Sequence, residues 1–158
     1  MRHGPAEDRA ATGRDFDRPL SERGRDRTAR VAGELGARGE NPKRVITSPL
    51  RRTVETAELV IETLKLPIAV ELRDELAPGG NAAGLVEELL REGAKRVLLI
   101  GHEPDVSTLT ERLLAGWDRT FDKAMVVALK LDEESYSAAH GRHSAECRFV
   151  IEPKQLDN

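Results

Sequence analysis

Three short segments of this 158-residue chain carry side chains suited to one kind of chemistry: Arg2-His3-Gly4, Ser48-Pro49-Leu50-Arg51-Arg52 and Gly101-His102-Glu103-Pro104. A neutral imidazole is a nucleophile, and a guanidinium can grip two phosphate oxygens at once. Brought together, His3, Arg2, Arg52 and His102 are the parts of a phosphoryl-transfer site, in which positive groups offset the charge of the equatorial oxygens without a metal. Each segment alone has an ordinary alternative. Arg2-His3-Gly4 also suits a frayed, solvated terminus, Arg51 stands four residues before Glu55 and suits a surface helix pair, and His102 suits a loop histidine satisfied by backbone.

The elements that must position these groups follow from the hydrophobic pattern. Pro19-Leu20-Ser21 introduces a helix with Ser21 as N-cap, whose stripe Leu20, Gly24, Thr28, Val31 and Leu35 repeats at helical spacing until Gly36 and Gly39. Arg44-Val45-Ile46-Thr47 is a short β-branched strand. Ser48-Pro49 reads as N-cap and first helical residue of a helix to about Leu64, with Leu50, Val54, Ala57, Ile61 and Leu64 on its apolar face. Arg52 then falls in the first helical turn, where side chains lean back toward exposed N–H groups that favour an anion.

Ile68 to Leu72 is a second strand, Pro78-Gly79-Gly80 a turn, Gly84 to Glu92 a helix, and Lys95 to Ile100 the clearest strand. A helix carrying Val106, Leu109, Leu113 and Leu114 inward follows, with Gly116 just past its end. The alternation predicts a mostly parallel sheet flanked by helices, with ligands at the carboxyl ends of the strands. Ala124 to Leu131 and Glu146 to Ile151 predict a late antiparallel hairpin around a polar loop. The expected fold is an α/β three-layer sandwich, residues 1–158 forming one domain with no linker.

Composition narrows the function classes. With 25 Lys and Arg against 28 Asp and Glu, the net charge of -3 offers no global basic field for nucleic acid, so phosphate binding must be local. The longest apolar run, Val97 to Ile100, is too short for a membrane span, and the lone Cys147 cannot pair within the chain, which points to a cytoplasmic protein. His140 and His143 lack a carboxylate or thiol partner at metal-ligand spacing, so no metal or other cofactor is expected. Trp117 is expected at the core edge.

The motifs together resemble the histidine phosphatase superfamily, the phosphoglycerate-mutase-like proteins with an Arg-His-Gly signature. Arg2-His3-Gly4 matches that signature, Arg18-Pro19-Leu20-Ser21-Glu22-Arg23-Gly24 matches the family's Arg-Pro-Leu-Thr/Ser-x-x-Gly segment, and Ser48 to Thr56 matches Ser-Pro-x-x-Arg-x-x-x-Thr. Gly101-His102 matches the second histidine segment. The stretch Glu75-Leu76-Ala77-Pro78-Gly79-Gly80 and Pro153-Lys154-Gln155-Leu156 resemble the short SixA-type phosphohistidine phosphatases. The resemblance implies that His3 attacks phosphorus and becomes phosphorylated while Arg2, Arg52 and His102 surround the phosphoryl oxygens. It makes Glu75 a candidate general acid, and His102 would work best charged. It also implies an apolar strand before Arg-His-Gly, whereas only Met1 precedes Arg2; the first strand is therefore absent from the numbered chain, and a start further upstream is the favoured explanation.

Phosphohistidine in a partner protein is the expected substrate, because only 23 residues separate Leu72 from Arg96, too few for a substrate-covering insertion, and a shallow, open site is expected. Two alternatives stand beside it: a phosphatase or mutase for small phosphate esters, and a catalytically impaired phosphate-binding module. Oligomeric state is left open.

Overall fold

A computed structural model describes residues 1–156. Three strands, β1 (Arg44–Thr47), β2 (Val70–Leu72) and β3 (Val97–Ile100), form a parallel sheet in the order β2-β1-β3. Parallel neighbours need a crossover, and helices supply it: α2 (Arg51–Leu64) joins β1 to β2, and α3 (Ala82–Arg91) joins β2 to β3. α1 (Glu22–Ala37) precedes β1 and α4 (Asp105–Leu113) follows β3. β4 (Val126–Lys130) and β5 (Glu146–Ile151) pair antiparallel, as expected. The loop between them contains α5 (Glu133–Ala138), which the sequence reading missed; Asp132 caps it, and Tyr136 is buried beside Val86 and Leu113.

The alternation of strand side chains divides the core in two. Val45, Leu98 and Ile100 face α1 and α2, where they meet Val31, Leu35, Ala57 and Val60. Ile46, Val97 and Leu99 face α3 and α4, where they meet Leu85, Leu89 and Leu109. Period-two strands with apolar residues on both faces are what a sheet covered on both sides requires. Each buried Leu, Ile or Val contributes about 1.5–3 kcal/mol relative to exposure, so the two half-cores hold the three layers together.

Residues 1–3 lie between the two sheets. Arg2 bridges Gly101 in parallel. The Gly101 N–H donates to the Met1 carbonyl (3.0 Å) and the His3 N–H to the Gly101 carbonyl (3.1 Å). On the other side the Arg2 N–H donates to the Met125 carbonyl (3.1 Å) and the Ala124 N–H to the His3 carbonyl (3.0 Å). Met1 is buried in the core between α1, β3 and β4. Alongside it, an apolar cavity of about 590 Å³ separates Val97, Leu98 and Leu99 from Val127, Ala128 and Leu129.

Several element ends differ by about two residues from expectation: β2, β3 and β4 begin two residues later and α3 two residues earlier. α2 starts at Arg51 with Leu50 at the N-cap, so Ser48 and Pro49 lie outside the helix. Its buried face is Arg52, Thr53, Thr56, Ala57 and Val60, one step round from the purely apolar face expected. The polar start of that face is explained by what it lines.

Candidate active site

The carboxyl ends of β1 and β3 and the segment 1–4 bring His3, Arg52 and His102 together. His3 is 7% exposed, Arg52 5% and His102 3%, and the His3 and His102 ring centroids are 5.2 Å apart. Arg2 also belongs to this site, its guanidinium anchored by an N–H to the Phe121 carbonyl at 2.7 Å.

His3 has a defined tautomer. Its Nδ1 lies 2.7 Å from the Gly4 carbonyl oxygen, and a carbonyl can only accept, so Nδ1 carries the hydrogen and Nε2 keeps its lone pair. Burial lowers the His3 pKa to about 3, with His102, Arg52 and Arg2 adding to the effect and the Gly4 carbonyl opposing it. A neutral ring with a bare Nε2 is what a nitrogen nucleophile requires. The His3 loop is fixed from below. The Gly4 N–H donates to Thr56 Oγ1 (3.1 Å), whose hydroxyl donates to the Arg52 carbonyl (2.7 Å).

A glycine at position 24 makes this close approach possible, because a Cβ there would lie 1.8 Å from the Pro5 carbonyl oxygen. That same oxygen accepts the Ser21 N–H at 3.0 Å, while Ser21 Oγ accepts the Gly24 N–H as the N-cap of α1. The Arg-Pro-Leu-Ser segment therefore clamps the strand-to-loop turn after His3.

His102 departs from expectation. Burial, followed by the field of Arg52, lowers its pKa to about 4, so the ring in the free site is neutral rather than charged. Its Nε2 lies 2.8 Å from Ser48 Oγ, and its Nδ1 is buried without a partner among the described residues.

Glu75 stands in a 3-10 turn (Asp74–Leu76) after β2. Arg73 grips both of its oxygens (2.6 and 3.1 Å) and also binds Glu88. The hydrogen bond from Arg73 holds the Glu75 carboxyl below its ordinary pKa. A general acid must carry a proton at working pH, whereas the Arg73 contacts favour the ionised carboxylate.

Asp15 was missed because it stands in a charged loop with no pattern to single it out. Arg52 donates to its carbonyl (3.0 Å) and to its carboxylate (3.2 Å), while Arg18 holds the other carboxylate oxygen at 2.8 Å. Burial lowers the Arg52 pKa, and Asp15 opposes that shift. Ser48 and Thr56 were quoted within a motif but not assigned to the site; the four-residue spacing of Arg52 and Thr56 on one helix was the available signal. Arg51 makes the expected pair with Glu55 at 2.8 Å. Among the described residues no group of three or more His, Cys, Asp or Glu is placed to hold a metal ion. Among the described residues no helix is long and apolar enough to cross a membrane, and Cys147 is exposed.

Comparison with known proteins agrees with this geometry. The profile of the histidine phosphatase superfamily (branch 1) matches residues 1–105, which contain His3, Arg52 and His102. The chain belongs to the histidine phosphatase superfamily. Phosphohistidine phosphatase SixA of Escherichia coli is 36% identical over 138 residues, 84% of each chain. An uncharacterized protein of Picosynechococcus is 36% identical over 119 residues, 73% of this chain and 72% of that one. A structure of the protein histidine phosphatase SixA complexed with tungstate superposes with a TM-score of 0.85 at 31% identity, covering 99% of this chain and 96% of the other. A mycobacterial glucosyl-3-phosphoglycerate phosphatase, 22% identical with a TM-score of 0.67, shares the fold. The activity class these comparisons support is phosphatase.

Proposed function

We propose that this chain is a metal-independent phosphatase that removes the phosphoryl group from phosphohistidine in a partner protein, with His3 as the transient phosphoryl carrier. The observation that carries the chemistry is the His3 tautomer, with Nδ1 tied to the Gly4 carbonyl and a neutral Nε2 free to attack. Support for the substrate comes from the phosphohistidine phosphatase that is 36% identical over 84% of the chain.

His3 Nε2 donates its lone pair to phosphorus, and the P–N bond to the substrate imidazole breaks with its electrons returning to that nitrogen. The second nitrogen of the substrate ring takes up a proton from solvent near neutral pH before the P–N bond breaks, so the ring leaves as neutral imidazole and no dedicated general acid is needed. Arg2, Arg52 and the free Nδ1 of His102 offset the charge spread over the three equatorial oxygens. Water then attacks the phosphorus on His3, releasing inorganic phosphate and restoring the neutral ring.

The discriminating experiment compares turnover of a phosphohistidine-bearing protein with a panel of sugar and nucleotide phosphates, alongside rapid-quench detection of an acid-labile phosphoenzyme. The proposal predicts a higher kcat/KM on the phosphohistidine protein and a phosphoenzyme that His3→Ala abolishes. Preference for the small esters rejects the substrate assignment, and absence of any phosphoenzyme rejects the mechanism.

A further inference from the structure

Ser48 directly follows β1 and is fully buried, and each of its polar groups is engaged. Its N–H donates to the Ile100 carbonyl (3.2 Å), its carbonyl accepts from Thr53 Oγ1 (3.0 Å), and its hydroxyl oxygen accepts the Leu50 N–H (3.2 Å). The remaining contact is the 2.8 Å approach of Oγ to His102 Nε2. An N-cap role would use this hydroxyl at the start of α2, yet the helix begins at Arg51 with no side-chain cap.

Counting hydrogens decides which way that contact runs. A serine hydroxyl has one hydrogen and two lone pairs. If His102 Nε2–H donated to Ser48, the serine hydrogen would have no acceptor among the described residues, and the buried Nδ1 would be a bare lone pair without a donor. If Ser48 donates to Nε2, the serine is satisfied, and the one group left over is a Nδ1–H donor. An unpaired buried donor is costly in the free protein and is satisfied by an incoming phosphoryl oxygen.

We propose that Ser48 is a positioning residue that holds His102 as the Nδ1–H tautomer, so that the ring presents a neutral hydrogen-bond donor to the phosphoryl group. The motif's serine thereby acts through a histidine more than fifty residues further along the chain. Hydrogen-bond partners of this kind fix the tautomer and orientation of functional imidazoles in many sites. The inference rests on phosphatase chemistry alone, and the phosphohistidine substrate can fail without it.

Two measurements test it. In the folded wild-type protein, 15N NMR of labelled histidine reads the His102 tautomer directly; hydrogen on Nδ1 is expected, and hydrogen on Nε2 overturns the proposal. With a chromogenic aryl phosphate as substrate, Ser48→Ala is expected to lower kcat about tenfold with KM changed less than twofold. In a His102→Ala background the same substitution should add less than a twofold loss. Ser48→Cys, which keeps a weak donor, should fall between wild type and Ser48→Ala. If Ser48→Ala costs the same factor with or without His102, Ser48 is merely structural and the proposal is wrong. Thermal melting accompanies each variant, and the wild-type NMR result stands even where a variant does not fold.

Discussion

Asp15 lies across the Arg52 guanidinium, giving it one carbonyl and one carboxylate oxygen at 3.0 and 3.2 Å. A carboxylate, like a phosphate, can bind this fork through two oxygens, so Asp15 competes with the ligand for the group that should bind it. The Asp15 side chain is 64% exposed and the pair is screened on that side, which limits its strength to about 1 kcal/mol. Asp15→Asn is accordingly expected to tighten inhibition by vanadate or tungstate about fivefold, a change read from the inhibition constant. Weaker inhibition would mean that Asp15 holds Arg52 in its binding pose instead.

Replacing His3 removes the only protein nucleophile in the proposed scheme. His3→Ala should reduce kcat by at least about a thousandfold, as losses of catalytic nucleophiles do, and leave circular dichroism unchanged. Retained turnover would reassign the nucleophile.

Both site histidines have pKa values below the ordinary 6.5, about 3 for His3 and about 4 for His102. Between pH 6.5 and 3 the unfolded chain therefore binds more protons than the native one, and stability falls as pH drops through that window. NMR titration should find both rings neutral at pH 5, and the double variant His3→Ala/His102→Ala should show a shallower acid loss of stability. Ring titration near pH 6.5 would contradict the burial argument.

Arg73 engages Glu75 on both oxygens and keeps it ionised. Glu75→Gln should thus change kcat on phosphohistidine less than about threefold, with no loss of the acid or alkaline limb in its pH profile. A loss of a hundredfold or more would restore Glu75 as the proton donor.

Gly24→Ala sets helix propensity against packing. Alanine gains about 1 kcal/mol in a helix interior, but its Cβ would sit 1.8 Å from the Pro5 oxygen. Backbone displacement should win, with a net loss of about 2 kcal/mol on chemical denaturation. A neutral or stabilised variant would show that the turn after His3 is not clamped as described.

The layers and the order of elements were legible because they follow from periodicity: Val45 and Ile46 point to opposite half-cores, and β1 and β5 span the residues expected of them. His3, Arg52 and His102 were legible because their residue types and flanking prolines and glycines recur at strand ends. Ser48 was misread because an N-cap and a histidine partner call for the same hydroxyl, and sequence spacing does not show that His102 lies within 2.8 Å. Asp15 was invisible because its role depends on a loop folding back over a helix thirty-seven residues away. The neutral state of His102 in the free site was not legible, because it follows from burial, which only the packed structure reveals.

The main chain of His3 is a seam, with its N–H sewn to Gly101 after β3 and its carbonyl sewn to Ala124 before β4. Relative sliding of the parallel sheet and the hairpin must pass through the residue proposed to attack phosphorus. Since a misplacement of about 1 Å can cost a hundredfold in rate, the β4–β5 hairpin, which supplies none of the proposed reacting groups, becomes a throttle. Loosening it should slow turnover long before it unfolds the protein.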